Sequence, residues 1–305
     1  MLEKTKAEFE MHVRSLQNEI TQELLRIDPE IKLTEDKWQR QDFVGRDGGG
    51  GITRAFSGPI IENAGVNTSL VYGKIDPKFA GQLNGNGDEL WAAGISLIIH
   101  PRNPKAATTH ANFRMIHQGN KYWFGGGADL TPYYPHEEDF IHFHQTWKKA
   151  CDEFNSYEKM KKDCDEYFAN HHRSFQGQKE MRGIGGTFFD HYNTGDLKAD
   201  FRMSKSLSQA FIPSYFPILE KRIRESFTPE DEDFQLHRRG RYVEFNLLHD
   251  RGTLFGLKTN GRVDSILISL PARVCFSYAY APKAGSAHAK MMQYYLPQDW
   301  ANKTI

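Results

Sequence analysis

The sequence of 305 residues carries 39 basic and 39 acidic side chains, so its formal net charge is zero and no global field recruits nucleic acid or anionic lipid. A mean hydropathy of -0.64, with the longest apolar runs, such as residues 97–99, far too short to cross a bilayer, excludes a membrane-spanning helix. Three cysteines, Cys151, Cys164 and Cys275, without C-x-x-C spacing, suggest neither a disulfide framework nor a clustered zinc or iron–sulfur ligand set. No Pro/Ser-rich linker, long like-charge run or fixed-period repeat divides the chain, so one domain spanning residues 1–305 is expected. Glu3, Glu8 and Glu10 near the N-terminus, with no apolar signal core, favour a cytoplasmic address.

Phe9, Val13, Leu16, Ile20 and Leu24 recur at three- and four-residue steps, which predicts an amphipathic helix over residues 3–27. Gly48 to Gly51 have no strand leading in and no Lys-Ser/Thr leading out, so a flexible loop is expected there. Residues 91–100 and 108–118 read as strands, with Ser96, Ile98 and His100 on one face of the first and His110, Asn112 and Arg114 on one face of the second. Asn155 and Glu158 resemble a capping box that separates a helix over 136–154 from one over 156–172. In the first of these, Phe140, Phe143, Trp147, Cys151 and Phe154 form an apolar arc, and burial favours His144 over His142. Residues 242–248, 254–258 and 262–270 read as further strands, the last two joined by a hairpin at Asn260-Gly261. Helices flanking runs of adjacent hairpin strands predict an α+β fold with a mainly antiparallel sheet over alternating βαβ units.

Common catalytic signatures are missing: there is no Walker sequence, no G-x-S-x-G elbow and no H-E-x-x-H helix. A different kind of signal lies at Phe124-Gly125-Gly126-Gly127-Ala128-Asp129-Leu130-Thr131-Pro132, where three glycines allow close backbone approach and an acid follows. Taken with Ala64-Gly65-Val66-Asn67, His100-Pro101 through His110-Ala111-Asn112, Arg182-Gly183-Ile184-Gly185-Gly186, residues 239–246 and residues 265–271, this block resembles the oxygen-dependent coproporphyrinogen III oxidase family.

The resemblance implies a single α+β domain, a large antiparallel sheet with helices on both faces, and a homodimer formed through residues 242–277. The chain departs from the family at Cys275-Phe276-Ser277-Tyr278, where an Arg-Trp-Glu-Tyr-like run is usual. The implied reaction is the oxygen-dependent oxidative decarboxylation of coproporphyrinogen III to protoporphyrinogen IX in haem biosynthesis. His110 then aligns with a proton donor, and Asp129 with an acid beneath the macrocycle, whose loss should hurt catalysis more than folding. Arg114 and Arg262 align with carboxylate-binding arginines, a task to which the guanidinium fork is suited. Ser96, Asn112, Phe113, Asn260 and Gly261 fall in the same substrate-binding blocks.

On this resemblance no organic cofactor is expected, because the reduced tetrapyrrole reacts with molecular oxygen itself. A divalent ion such as manganese, at positions matching His100, His110, His144 and His172, is implied by bacterial relatives and not by eukaryotic ones. The alternative reading is a non-catalytic tetrapyrrole-binding protein. Retention of His110, Asp129, Arg114 and Arg262 together weighs against it.

Overall fold

The N-terminal stripe folds as its spacing predicts, into helix α1 (Leu2–Ile27), with Phe9, Val13, Leu16, Ile20 and Leu24 all buried. The computed structural model describes residues 1–258 and 261–304. After α1 come strands β1 (Lys32–Gln41), β2 (Asp47–Ser57) and β3 (Ile61–Lys74), a single helical turn α2 (Pro77–Ala80), and strands β4 (Glu89–Pro101), β5 (Thr108–Gln118) and β6 (Lys121–Thr131). Helices α3 (Glu137–Cys151) and α4 (Tyr157–Tyr167) lead into strands β7 (Ala169–Phe175), β8 (Gln178–Met181) and β9 (Gly186–Tyr192). Helices α5 (Leu197–Gln209), α6 (Phe211–Arg222), α7 (Pro229–Leu248), α8 (Arg251–Lys258), α9 (Val263–Leu267) and α10 (Ala287–Tyr294) complete the chain.

Seven strands form one antiparallel sheet in the order β1-β2-β3-β4-β5-β6-β9, and β7 pairs separately with β8. The expected α+β fold with its large antiparallel sheet is the one observed. Because strand side chains alternate, β4, β5 and β6 send Ile95, Leu97, Ile99, Ala111, Phe113, Met115, Phe124, Ala128 and Leu130 to one face, where all are buried. That face packs against α1, α3, α5 and α6 in a single continuous apolar core. The opposite face is polar. Part of it is crossed by the segment around α9, in which Ser265 bonds Thr53 and Asn67 and Ile268 packs on Gly65. Beside it α7 places Tyr242 edge-on to His100.

Several local expectations are overturned. Residues 242–248, 254–258 and 262–270 are not strands: the first ends α7, the second lies in α8, and the third holds α9 and the turn after it. Thr228 accepts from Asp231 N while Asp231 reaches back to Thr228 N, and Pro229 stands at the first helical position. These start signals commit the chain to a helix well before the apolar alternation at Tyr242 begins. No hairpin follows. Gly261 N donates to Gly256 O and so closes α8, and Arg262 precedes α9; Asn260 lies outside the described residues.

Gly48 to Gly51 belong to β2, not to a loop. A Cβ at Gly51 would stand 2.4 Å from the Trp38 ring, and one at Gly50 2.1 Å from Trp38 O, so crowding by the ring and backbone of Trp38 on β1 accounts for glycine at these two positions. Asn155 caps nothing at an N-terminus. It adopts the left-handed conformation (φ 45) at the end of a 3-10 turn, α4 stops at Tyr167, and His171 and His172 lie on β7.

Candidate active site

The polar face is organised in rows set by the strand register. Ile98, His110 and Asp129 face one another across β4, β5 and β6; Ser96, Asn112, Gly127 and Phe188 form the next row, and Gly94, Arg114 and Gly125 the one after. Residues opposite one another in an antiparallel sheet point to the same side, so one register brings His110, Asn112, Arg114 and Asp129 onto a single face. Phe113 departs from this group. Its ring points into the core and stacks on Trp147.

Asp129 is 1 % exposed and its Oδ1 accepts from Arg182 Nη2 at 2.6 Å and from His110 Nδ1 at 3.1 Å. Burial alone would raise its pKa, but the Arg182 charge and these hydrogen bonds outweigh that and hold the carboxyl below its ordinary value. Arg182 is itself buried, donates to Asn246 Oδ1 at 2.6 Å, and lies over the rings of Phe168 and Tyr242. Burial pushes this guanidinium toward its neutral form, and the Asp129 charge more than restores it. Oδ2 of Asp129 takes no hydrogen bond among the described residues, which leaves one carboxylate oxygen for a ligand. His110 Nδ1 is committed to Asp129, so Nε2 is the ring nitrogen left for a ligand; the side chain is 23 % exposed. Pairing with buried Arg182 also changes the expectation for Asp129: its removal would strand a buried cation and damage folding as well as chemistry.

The glycine run acquires a reason. Gly125 is the floor on which the Arg114 guanidinium lies, since a Cβ there would stand 2.9 Å from its Nε and Cζ. Gly127, at φ 149, would bring a Cβ within 2.0 Å of Thr187 O on β9.

Around this centre stand residues to which the sequence assigned no role. Tyr167 stacks on Phe188 at 4.3 Å and donates to Asp250 Oδ1 at 3.0 Å, while Arg251 lies over both rings. Burial pushes the Asp250 carboxyl up, and the Arg182 charge and a bond from Thr253 N bring it below its ordinary value. A cavity of about 400 Å³ bordered by Tyr167, His171, Phe188, His249 and Arg251 opens beside them. Arg182 sits in the Arg182-Gly183-Ile184-Gly185-Gly186 block and Asp250 between His249 and Arg251, but buried pairing leaves no local mark in a sequence.

Arg262 shares the face and not the centre. It pairs with Asp36 on β1, five strand positions from β6, or about 24 Å at the usual spacing. Ser96 and Asn112 occupy the interval between them.

The four histidines do not form one ligand set. His100 donates from Nε2 to Ser269 O and bonds Thr108 through Nδ1, and burial depresses its pKa to about 3. His144, buried as its helical phase predicts, engages Ile184 O and Tyr157 through its two nitrogens. His172 is on β7, its ring 5.0 Å from that of His249. Among the described residues no group of three or more His, Cys, Asp or Glu is arranged to hold a metal ion.

Fold and site together define an α+β protein with a carboxylate–imidazole–guanidinium cluster on the polar face of an antiparallel sheet. Residues 8–300 match the family described as coproporphyrinogen III oxidase. A relative from Prochlorococcus marinus (strain MIT 9515), an oxygen-dependent coproporphyrinogen-III oxidase, is 42 % identical over 95 % of this chain and 91 % of its own length. The chain belongs to the coproporphyrinogen III oxidase family.

Proposed function

We propose that this chain catalyses the oxygen-dependent conversion of coproporphyrinogen III to protoporphyrinogen IX. Each cycle removes carbon dioxide and a hydride equivalent from one propionate to leave a vinyl group; dioxygen takes the hydride and, with one proton, becomes hydrogen peroxide. Two cycles complete the reaction. The observation that carries the reading is the Arg182–Asp129–His110 chain of bonds, which sets an ionised acceptor and an imidazole side by side on one face of the sheet.

In this reading Asp129 Oδ2 accepts pyrrole N–H bonds and so fixes the macrocycle over β5 and β6. His110 Nε2 moves the proton. Arg114 grips a carboxylate arm, and Asn112 and Ser96 border the same surface. Arg262 serves an arm only at the far margin of the face, beside Asp36. The substrate supplies the electrons, so the residues here bind, orient and exclude water, and no organic cofactor takes part. No step is assigned to a metal held by His100, His110, His144 and His172, because two of these imidazoles have both nitrogens committed to protein groups.

Homodimerisation through residues 242–277 belongs to the same proposal. Leu248, Val263, Leu267 and Phe276 are all exposed there, an apolar concentration that suits a partner surface. Among the described residues no helix is long and apolar enough to cross a membrane, in keeping with the proposed cytoplasmic address. The test is incubation of the purified protein with coproporphyrinogen III in air and under anaerobic conditions. Vinyl product with oxygen uptake is expected only in air; binding without turnover would overturn the catalytic reading in favour of a tetrapyrrole carrier.

A further inference from the structure

Three separate features of the sheet converge on one guanidinium. The register between β6 and β9 shifts between Phe124 and Gly126, which pair with Tyr192 and Phe189, so β9 holds an extra residue at this point. The bulge contains Asp190 and His191, and His191 adopts φ 52, a left-handed conformation that L residues other than glycine seldom accept. Phe189, just before, is buried in the core, so alternation turns Asp190 to the polar face. There its Oδ1 accepts from Arg114 Nη2 at 2.8 Å and from His191 N at 3.0 Å. The third feature is Gly125, whose missing side chain lets Arg114 lie flat and reach across β6 to β9.

Asn112 Oδ1 takes Nη1 of the same guanidinium at 2.8 Å. Arg114 is thus held at both terminal nitrogens, and Asp190 uses a single oxygen, so the contact is not the bidentate fork that would saturate the group. Further N–H bonds of Arg114 remain for an anion on the polar face. Burial tends to raise the Asp190 carboxyl, and the Arg114 charge and hydrogen bond hold it below its ordinary value, so it stays an anion at neutral pH. An arginine with no task to perform needs no bulge, strained residue and glycine floor to hold it still.

We propose that Asp190 is a positioning residue that presets Arg114 to capture one carboxylate arm of the tetrapyrrole. The inference rests on the proposed function and deepens it: Asp190 touches no substrate atom, stays in place when substrate binds, and acts on affinity through Arg114. Its effect falls on KM and spares the chemical step, because preorganisation lowers the ordering cost of binding.

The test begins with steady-state turnover of coproporphyrinogen III by the wild-type protein. Its absence would overturn the proposed function itself. With turnover established, Asp190→Asn, which keeps the shape and removes the charge, is expected to raise KM about tenfold with kcat within about twofold. In an Arg114→Leu background the same substitution should add nothing, since the two residues act as one unit. An unchanged KM in folded Asp190→Asn protein, or a full additive effect beside Arg114→Leu, overturns the role of Asp190. A KM that falls also overturns it, because Asp190 would then compete with the substrate for Arg114. Should Arg114→Leu fail to fold, Arg114→Gln serves as the second background.

Discussion

Along residues 110–115 of β5, the odd-numbered side chains lie in the apolar core and the even-numbered ones meet other polar groups, although both sets hang from the same backbone. Ala111, Phe113 and Met115 are at most 1 % exposed and are held by contact alone. His110, Asn112 and Arg114 are each tied to a named atom on β6, β9 or β5 itself. The first face is specified by volume and tolerates any apolar side chain of fitting shape. The second is specified by direction and charge, where one missing partner leaves another buried group unsatisfied. Substitution at neighbouring positions should therefore fail in two distinct ways.

The largest effect is expected at His110. His110→Ala should lower kcat by about 10²–10⁴-fold, the usual weight of a proton-transfer group. Its stability in urea should stay within about 1 kcal/mol of wild type, since the imidazole is partly exposed. Wild-type turnover in this variant would remove His110 from the mechanism and erase the difference between the faces. One residue pair along, Phe113→Ala should show the reverse. It is expected to cost about 3–5 kcal/mol of stability by urea denaturation while the folded fraction keeps its kcat. A large kcat loss at full stability would put the Phe113 ring on the polar face and not in the core.

A smaller, pH-dependent effect adds one histidine from each side of the sheet. Burial depresses the pKa of His100 to about 3, with Arg239 adding to the shift, and burial also holds His144 well below its ordinary value, with Lys161 adding. The unfolded chain therefore takes up protons at these positions below about pH 6.5 that the folded chain refuses. Stability is full above that pH and declines as pH falls, toward about 3 for His100. The slope is at most about 1.4 kcal/mol per pH unit for each histidine. Urea unfolding at pH 7.5 and pH 5.5 measures it, and His144→Gln should flatten part of the slope. An identical slope in that variant would mean His144 charges freely in the folded protein.

Legibility in the sequence followed the same division. The α1 stripe, strands β4 and β5, the burial of His144 over His142 and the polar set His110, Asn112 and Arg114 were all readable, because period and side-chain chemistry are local properties. Residues 242–270 were misread for the converse reason. Alternating aromatic and β-branched residues near Tyr242 look like a strand, but the helix had already begun at the Thr228–Asp231 cap, and burial of Phe234, Tyr242 and Phe245 maintains it. A longer window that included Thr228-Pro229 would have found that start. Gly48 to Gly51 suggested a loop because a sequence does not record that Trp38 lies against Gly50 and Gly51 from the next strand.

From the residues alone came the α+β class, the alternating chemistry of the central strands and the resemblance of an ordered set of blocks to one enzyme family. Pattern and motif need only neighbours in the chain. Tertiary structure alone decided that Arg182 backs Asp129, that Phe113 turns inward, that Arg262 stands apart from the centre, and that a bulge in β9 delivers Asp190 to Arg114. Each of these joins residues from separate elements, and register, burial and charge pairing across such distances come into existence only when the sheet closes.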